Sequence, residues 1–159
     1  MFNTGLGGDI PDLSNLQSLE VFKVENCNFS GDGWTTLFSV PTIIVLGVAG
    51  NEFVSGTLDG IGNLVNLQEL YIAETSVGGT IPEEIGNLSQ LKTIKSKETA
   101  FTGPLPAGIG GLVSLKELDF EKNQLTGALP EEIGGMVEVL EVYLQENREL
   151  EGDQVLRCL

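Results

Sequence analysis

Histidine is absent from this 159-residue chain. Without it the chain lacks the commonest general base, the Ser-His and Cys-His nucleophile pairs and every histidine metal ligand. Phosphate-binding loops of the GxxxxGK(S/T) form and acidic segments with EF-hand spacing are missing as well. We therefore expect a protein that is not an enzyme and that uses no cofactor or metal ion.

Cysteine and basic side chains are scarce. The two cysteines, Cys27 and Cys158, are too few for a disulfide framework or a cysteine-rich zinc site. Lysine and arginine number 8 against 23 aspartates and glutamates, which gives a formal net charge of −15. That charge serves solubility, and it repels nucleic-acid phosphates and anionic lipid headgroups. We therefore expect no nucleic-acid partner.

Long apolar runs are missing too. No stretch approaches the roughly 18 apolar residues of a membrane-spanning helix. Residues 1–9 are rich in glycine and have neither the basic nor the apolar region of a signal peptide. We therefore expect no direct membrane insertion in this segment and no signal peptide within it.

What the chain does contain is one pattern that returns every 24 residues. The clearest copy, LVSLKELDFEKNQLTGALP, occupies residues 112–130, and weaker copies precede and follow it in the same register. We call the position of Asn123 in this pattern the corner. Its occupants along the chain are Asn3, Cys27, Asn51, Thr75, Thr99, Asn123 and Asn147. A fixed spacing over so many positions predicts a repeat architecture.

The spacing within the pattern predicts the shape of each repeat. Leu118 and Phe120 alternate with polar residues, so a short strand places both on one face, and stacked copies form a parallel sheet. An asparagine amide at the corner can bond backbone groups of its own and the neighbouring repeat. We expect this ladder to be weaker at Thr75 and Thr99, which offer only a hydroxyl. Cys27 and Cys158 lie too many repeats apart to pair.

Glycine and proline mark the turns that follow each strand. Gly79, Gly103 and Gly127 are expected to allow tight or positive-φ backbone, and the proline three residues later pre-sets φ. Two acidic pairs follow the prolines, where a short helical turn would begin and negative charge is favoured. A catalytic role for these pairs is disfavoured because they recur with the repeat.

The complete pattern, LxxLxxLxLxxNxLxGxIPxxIGxL, resembles the plant-type leucine-rich repeat. The segments GTIPEEIGNL (79–88) and GALPEEIGGM (127–136) carry the resemblance, which covers essentially the whole chain. It implies an α/β repeat solenoid, a superhelix with a parallel β-sheet on the concave face and short helical or 3-10 turns on the convex side. We expect residues 1–159 to form a single domain of about six turns that lacks a complete N-terminal cap, in a fragment or partial gene product.

In this architecture the open face of the strands forms the concave surface that extended partners usually occupy. Gly47 and Ala49 are expected to leave one turn bare, so that a partner backbone can approach. Exposed tyrosines are typical of binding surfaces, whereas Lys95 with Asp119 and Lys97 with Glu121 can equally be cross-strand ion pairs. The candidate ligand-binding residues are Gly47, Ala49, Tyr71, Lys95, Lys97, Asp119, Glu121 and Tyr143.

The resemblance implies a non-catalytic recognition module, similar to the ectodomains of receptor-like kinases and receptor-like proteins and to polygalacturonase inhibitors. Such a module binds a protein, peptide or glycan in an extracellular or cell-surface location, and exposed ends favour end-to-end self-association. Two sequons, at Asn28 and Asn87, are candidate N-glycosylation sites.

The alternative is a structural cell-surface repeat protein. Ice binding, one version of that alternative, needs threonines aligned in one column of the repeat. It is disfavoured because the threonines that follow the corner, Thr57, Thr80, Thr102 and Thr126, do not share one register.

Overall fold

The computed structural model describes residues 7–151, so Asn3 and Cys158 lie outside the described residues. Its strands are β1 (Gly8–Asp9), β2 (Val21–Lys23), β3 (Phe29–Gly31), β4 (Val45–Gly47), β5 (Phe53–Val54), β6 (Glu69–Tyr71), β7 (Gly78–Thr80), β8 (Thr93–Lys95), β9 (Ala100–Gly103), β10 (Glu117–Asp119), β11 (Gln124–Ala128), β12 (Glu141–Tyr143) and β13 (Glu149–Glu151). The even-numbered strands form one six-stranded sheet, and the odd-numbered strands form a three-stranded and a four-stranded sheet.

The six-stranded sheet is parallel throughout and keeps the 24-residue register of the sequence. Leu118 in β10 lies opposite Ile94 in β8 on one side and Val142 in β12 on the other. Leu118 and Ile94 are buried in the core, while their strand neighbours Glu117 and Asp119 point the other way and are partly exposed. This alternation confirms the predicted solenoid with a parallel sheet on its concave face.

The odd-numbered strands are a feature that the sequence analysis did not predict. They form where the chain has passed the corner, and Gly79, Gly103 and Gly127 lie in them with φ of 81°, 74° and 75°. Paired residues in these strands are separated by fewer residues in the sequence than the length of one repeat. Thr80 in β7, for example, lies opposite Thr102 in β9. Thr80 and Thr102 therefore align, but the expectation that Thr57, Thr80, Thr102 and Thr126 do not share one register holds, because Thr126 lies outside this row. The next residue in that row is Gln124, so the row of threonines ends there.

In the described part of the chain, five 3-10 helices lie on the convex side, as the resemblance implied: η1 (Gly33–Ser39), η2 (Ile61–Asn63), η3 (Glu83–Asn87), η4 (Ala107–Gly111) and η5 (Glu131–Gly135). A proline with extended backbone angles precedes each of the last three, and acidic pairs occupy the first turns of η3 and η5. These helices are short because each repeat must return to the sheet. Within residues 7–151 no helix is both long enough and apolar enough to cross a membrane.

A different arrangement occurs in the repeat whose corner is Cys27, where Gly33 and Trp34 take the positions that Ile81 and Pro82 hold two repeats later. Trp34 in η1 is fully buried, and its ring meets the edge of Phe38 with ring centroids 5.4 Å apart. The indole Nε1–H donates to the carbonyl oxygen of Ser55 at 2.8 Å, which satisfies the one polar atom of the side chain. One large aromatic residue thus fills the space that smaller residues fill in the regular repeats.

The asparagine ladder forms as predicted. Asn123 Nδ2 donates to the carbonyl oxygen of Ser96, one repeat earlier, at 2.8 Å, and Asn123 Oδ1 accepts from the backbone N–H of Phe101 at 3.0 Å. The hydroxyl of Thr75 bonds Ile72 and Val77 of its own repeat, and among residues 7–151 it makes no bond to another repeat. The ladder is therefore weaker at Thr75, as the sequence indicated. Thr99 retains a link, since its hydroxyl donates to Asn123 Oδ1 at 2.6 Å.

Ser96 occupies a core position that carries larger apolar residues in the other repeats. Its side chain is fully buried, and its hydroxyl donates to the carbonyl oxygen of Asp119 at 2.8 Å. A buried hydroxyl without a partner would destabilise the repeat, and this bond supplies the partner. The core therefore tolerates a serine at this position, because its hydroxyl is hydrogen-bonded.

Candidate ligand-binding surface

The open side of the six-stranded sheet is built from side chains six, four and two positions before each corner, which we call the concave face. These side chains alternate with the core residues of the same segments, so the core packing fixes where they point. In chain order they are Val21, Lys23, Glu25, Val45, Gly47, Ala49, Glu69, Tyr71, Ala73, Thr93, Lys95, Lys97, Glu117, Asp119, Glu121, Glu141, Tyr143 and Gln145. All eight candidate ligand-binding residues lie on this face.

The first part of the concave face is organised by Lys23. Lys23, Gly47 and Tyr71 lie opposite one another in β2, β4 and β6. The lysine side chain crosses Gly47, and its Nζ lies 4.6 Å from the centroid of the Tyr71 ring. Gly47 is consequently buried, and a Cβ there would lie 3.4 Å from Lys23 Cγ and 2.9 Å from Glu25 Oε1. The expectation of a bare turn is corrected at Gly47, because the neighbouring lysine fills the space.

Tyr71 is held at both ends of its side chain. The Lys23 ammonium group lies over its ring, and its hydroxyl donates to Glu69 Oε2 at 2.9 Å. Partial burial, followed by this hydrogen bond and the negative charge of Glu69, raises the pKa of Tyr71 to about 12. Tyr71 is therefore a preoriented aromatic surface that stays protonated at physiological pH.

Lys95 pairs with a different carboxylate from the one predicted. Asp119 lies opposite it in register, but Lys95 Nζ contacts Glu117 Oε1 at 2.9 Å. Asp119 is engaged by its own backbone, since its Oδ1 accepts from the N–H of Glu121 at 2.9 Å. The long lysine stem reaches the diagonal neighbour instead. The hydrogen bond with Glu117 is also the main reason that the pKa of Lys95 is raised.

Lys97 forms the ion pair that the sequence predicted. Its Nζ lies 2.9 Å from Glu121 Oε1, and the other oxygen of Glu121 accepts from Gln145 Nε2 at 2.6 Å. Three successive repeats are thereby joined through one carboxylate. Lys97 is thus engaged in an internal contact, and each carboxylate oxygen of Glu121 already has one partner.

The last part of the concave face is acidic and carries the second tyrosine. Tyr143 is 37% exposed. The negative charge of Glu141, followed by partial burial and hydrogen bonding to Glu141, raises the pKa of Tyr143. Asp119 lies opposite Tyr143, and burial raises the pKa of that carboxyl. An aromatic ring beside several carboxylates is a suitable environment for a cationic group.

Sequence reasoning missed the first residue of each strand on this face, six positions before the corner. Glu69, Glu117 and Glu141 occupy that position in β6, β10 and β12, and all three interact with candidate residues. The signal was present in the sequence, because the period of two that places Tyr71 and Tyr143 on the face also applies two residues earlier. Val21, at the same position in β2, is 53% exposed.

The acidic pairs on the convex side brace neighbouring repeats. Glu83 Oε2 accepts from the backbone N–H of Gly108 at 2.7 Å, and Glu84 Oε1 lies 3.5 Å from the backbone nitrogen of Gly60. These contacts give the carboxylates a structural role in the stacking of η2, η3 and η4. No group of three or more acidic or cysteine residues with a metal-binding arrangement is found within residues 7–151.

The two sequon asparagines both lie outside the concave face. Asn28 is exposed immediately before β3 and has a positive φ of 60°. Asn87 is exposed at the end of η3 on the convex side. Cys27, which precedes the first sequon, is half-buried and its thiol contacts the carbonyl oxygen of Glu25 at 3.1 Å.

Solved structures with similar folds include plant receptor ectodomains. The chain is 32% identical to the plant peptide hormone receptor RGFR1, solved in complex with RGF2, with a TM-score of 0.83 over 88% of this chain and 23% of that one. It is 29% identical to the Arabidopsis receptor kinase HAESA, solved with the peptide hormone IDA and the co-receptor SERK1, with a TM-score of 0.81 over 91% and 24% of the two chains. The chain thus spans about a quarter of these receptor chains.

A plant ice-binding protein shares the fold at 24% identity, with a TM-score of 0.74 over 81% of this chain and 42% of that one. No curated protein matches the sequence. A family model described as a leucine-rich repeat region matches residues 3–159. With the 24-residue repeats, the parallel concave sheet and the receptor-like neighbours, this match shows that the chain belongs to the plant-type leucine-rich-repeat family.

Proposed function

We propose that the protein is a non-catalytic recognition module that binds a protein, peptide or glycan ligand on its concave face, in an extracellular or cell-surface location. The observation that carries the proposal is the concave face itself. Six strands present a continuous row of side chains, with Tyr71 and Tyr143 three repeats apart at the same register. Rigid aromatic side chains on an ordered sheet are the kind of groups that dominate binding energies.

The similar structures support this proposal. RGFR1 and HAESA were each solved with a peptide hormone, and the chain matches both over most of its own length. The positions of the sequons are also consistent with it. Both sequon asparagines lie outside the concave face, so glycans at Asn28, beside β3, and at Asn87, at the end of η3, would leave that face accessible.

The test is an affinity capture from the extracellular fluid of the source tissue. The variant Tyr71→Ala/Tyr143→Ala removes both aromatic side chains from the concave face. The control Val65→Ala/Val113→Ala truncates two side chains that are 50% and 46% exposed away from this face. We expect one saturable partner to be retained by the wild type and the control and lost by the tyrosine variant, with all three proteins equally folded by circular dichroism.

Two results would contradict the proposal. Capture of the same partner by all three proteins would move the binding surface away from the concave face. Failure of the folded wild type to retain any partner would favour the structural cell-surface role.

End-to-end self-association belongs to the same proposal as a second interaction. In the last described repeat Val137 and Leu140 are 79% and 80% exposed, and exposed apolar side chains of this kind favour contact with another surface. Sedimentation velocity of the wild type and of Val137→Glu/Leu140→Glu tests it. A concentration-dependent dimer that the double variant abolishes is expected, and a monomeric wild type at all concentrations would exclude the association.

A further inference from the structure

The concave face changes character along the solenoid. In β2 and β4 and the segment after β4 it presents Val21, Val45 and Ala49, which are small or aliphatic and at least partly exposed. In β10 and β12 it presents Glu117, Glu141 and other carboxylates instead. A ligand that lies along the face therefore meets aliphatic side chains beside the Lys23–Glu25 ion pair at one end and an acidic surface at the other.

The acidic end contains an unfavourable arrangement of like charges. Glu117 in β10 lies directly opposite Glu141 in β12, and like charges in opposed positions destabilise a sheet. Lys95 contacts Glu117 and so compensates one of the two carboxylates. The other groups that face this point are Thr93, Asp119 and Tyr143, and Asp119 adds further negative charge. A cationic group placed beside Glu141 would relieve the repulsion.

The two tyrosines provide an internal comparison. Tyr71 has a lysine two strands earlier at the same register, Lys23, and this lysine lies over its ring. Tyr143 also has a lysine two strands earlier at the same register, Lys95. Lys95 turns to Glu117 instead, and within residues 7–151 the only cation over an aromatic ring is Lys23. Tyr71 thus shows how the sheet holds a cation over an aromatic ring. Tyr143 has the same register, but among the described residues no cation lies over its ring.

We propose that the concave face binds an extended peptide whose lysine or arginine side chain lies over Tyr143 between Asp119 and Glu141, and whose small apolar residues lie on Val21, Val45 and Ala49. This inference rests on the proposed function, and it names the chemistry of the ligand. The ring face of Tyr143 attracts the cation, and the carboxylates supply charge-assisted hydrogen bonds. Arginine fits best, because its planar guanidinium can stack and bond at once.

The strand spacing sets the separation of the two features in the ligand. From β4 to β12 there are four strand spacings of about 4.8 Å, or roughly 19 Å in all, and an extended chain advances about 3.3 Å per residue. The basic residue should therefore lie about six positions from the small apolar residues. A random linear peptide library displayed on phage supplies the probe for this prediction.

Selection on the wild type should enrich peptides with a lysine or arginine at one position and small apolar residues about six positions away. A synthetic copy of the selected peptide should bind Glu141→Lys at least about tenfold more weakly than the wild type, since charge reversal replaces attraction with repulsion. Glu131→Lys makes the same change in net charge on the convex helix η5 and should change the affinity less than about twofold. Replacing the basic residue of the peptide with norleucine should weaken binding to the wild type by a similar factor.

The outcomes separate this inference from the proposed function. Peptides that lose binding in Tyr71→Ala/Tyr143→Ala but show no basic residue, or that bind Glu141→Lys as well as the wild type, would overturn the inference and leave the concave face as a binding surface. Equal weakening by Glu141→Lys and Glu131→Lys would show a non-specific charge effect and overturn it as well. Selected peptides that are insensitive to every concave-face variant would contradict both proposals.

Discussion

Asn51 Oδ1 accepts a hydrogen bond from the backbone N–H of Cys27, which lies one full repeat earlier in the chain, at 3.0 Å. The same side chain donates through Nδ2 to the carbonyl oxygens of Val24 at 2.8 Å and Val48 at 2.7 Å. Asn51 is 1% exposed, so these bonds are protected from water. One amide therefore closes its own corner and ties it to the preceding repeat.

Thr75→Asn should stabilise the protein, because it extends this ladder into the repeat where it is weakest. The two side chains are close in size, and the new amide would donate to Val48 as Asn51 donates to Val24. A carbonyl can accept two such bonds, as that of Phe120 does from Asn123 and Asn147. We expect the free energy of unfolding to rise by about 1 kcal/mol, measured by urea denaturation.

The matched control is the reverse substitution, asparagine to threonine, at a corner where the asparagine ladder is formed. Asn123→Thr removes the bonds to Ser96 and Phe101 and should lower the free energy of unfolding by about 1–3 kcal/mol. If Thr75→Asn destabilised the protein while Asn123→Thr behaved as expected, the corner at Thr75 would not accommodate an amide.

The main sheet could be predicted from the sequence because its determinants repeat without interruption. Every even-numbered strand ends four residues before a corner, so one correctly aligned repeat fixes all the others. The odd-numbered strands could not be predicted in the same way. β7 consists of Gly78, Gly79 and Thr80, and glycine-rich segments have low strand propensity. Its pairing follows the local length of the turn instead of the 24-residue period.

The candidate site was predictable in position but not in its contacts. Register alone placed Lys97 beside Glu121, and the ion pair forms there. Register also placed Lys95 beside Asp119, but the short aspartate bonds its own backbone and the long lysine reaches Glu117. Side-chain length and competing backbone donors decide such contacts, and neither is visible in a repeat alignment.

Gly86→Ala should destabilise the protein because Gly86 packs closely against the next repeat. The same change at Gly110 and Gly134, one and two repeats later, tests that explanation. An added Cβ at Gly86 would clash with the carbonyl oxygen of Gly108 in the next repeat, so backbone must shift. We expect a loss of about 1–3 kcal/mol in the free energy of unfolding. Gly110 faces the carbonyl oxygen of Glu132 in the same way and should respond similarly.

Gly134 occupies the same repeat position as Gly86, but no atom from elsewhere in residues 7–151 lies within 4 Å of a Cβ placed there. Gly134→Ala should therefore leave the free energy of unfolding within about 0.5 kcal/mol of the wild type. Thermal unfolding of the three alanine variants gives the comparison. Equal destabilisation at Gly86 and Gly134 would show that glycine is needed for the helical turn itself and not for the close stacking of repeats.

Glu74→Asn should raise the stability through the backbone. Glu74 lies one position before a corner and has a φ of 56°, a left-handed conformation that disfavours most side chains and that asparagine tolerates. We expect a gain of up to about 1 kcal/mol in urea denaturation. Glu52→Asn removes the same negative charge from a nearby exposed residue that is outside the positive-φ set. A gain of the same size at Glu52 would assign the effect to charge and not to conformation.

Tyr71 should titrate with a pKa well above that of a free phenol. The chain has two tyrosines, so ultraviolet absorbance of Tyr143→Phe reports Tyr71 alone. We expect a pKa of about 12, and in the Glu69→Gln background a lower value that stays above the ordinary 10.0, because burial is the larger cause of the shift and remains.

The same shift links Tyr71 to stability at high pH. Because the folded state holds the phenolic proton more tightly than the unfolded state, the contribution of Tyr71 is complete below pH 10 and is lost as the pH rises through about 12. The free energy of unfolding of the wild type minus that of Tyr71→Phe should therefore decrease across this window. Taking the difference cancels the contribution of the lysines, which both proteins share. Glu69→Gln should reduce the decrease. A difference that stays constant between pH 10 and 12, together with a Tyr71 pKa near 10, would show that neither the burial of Tyr71 nor its hydrogen bond to Glu69 persists in solution.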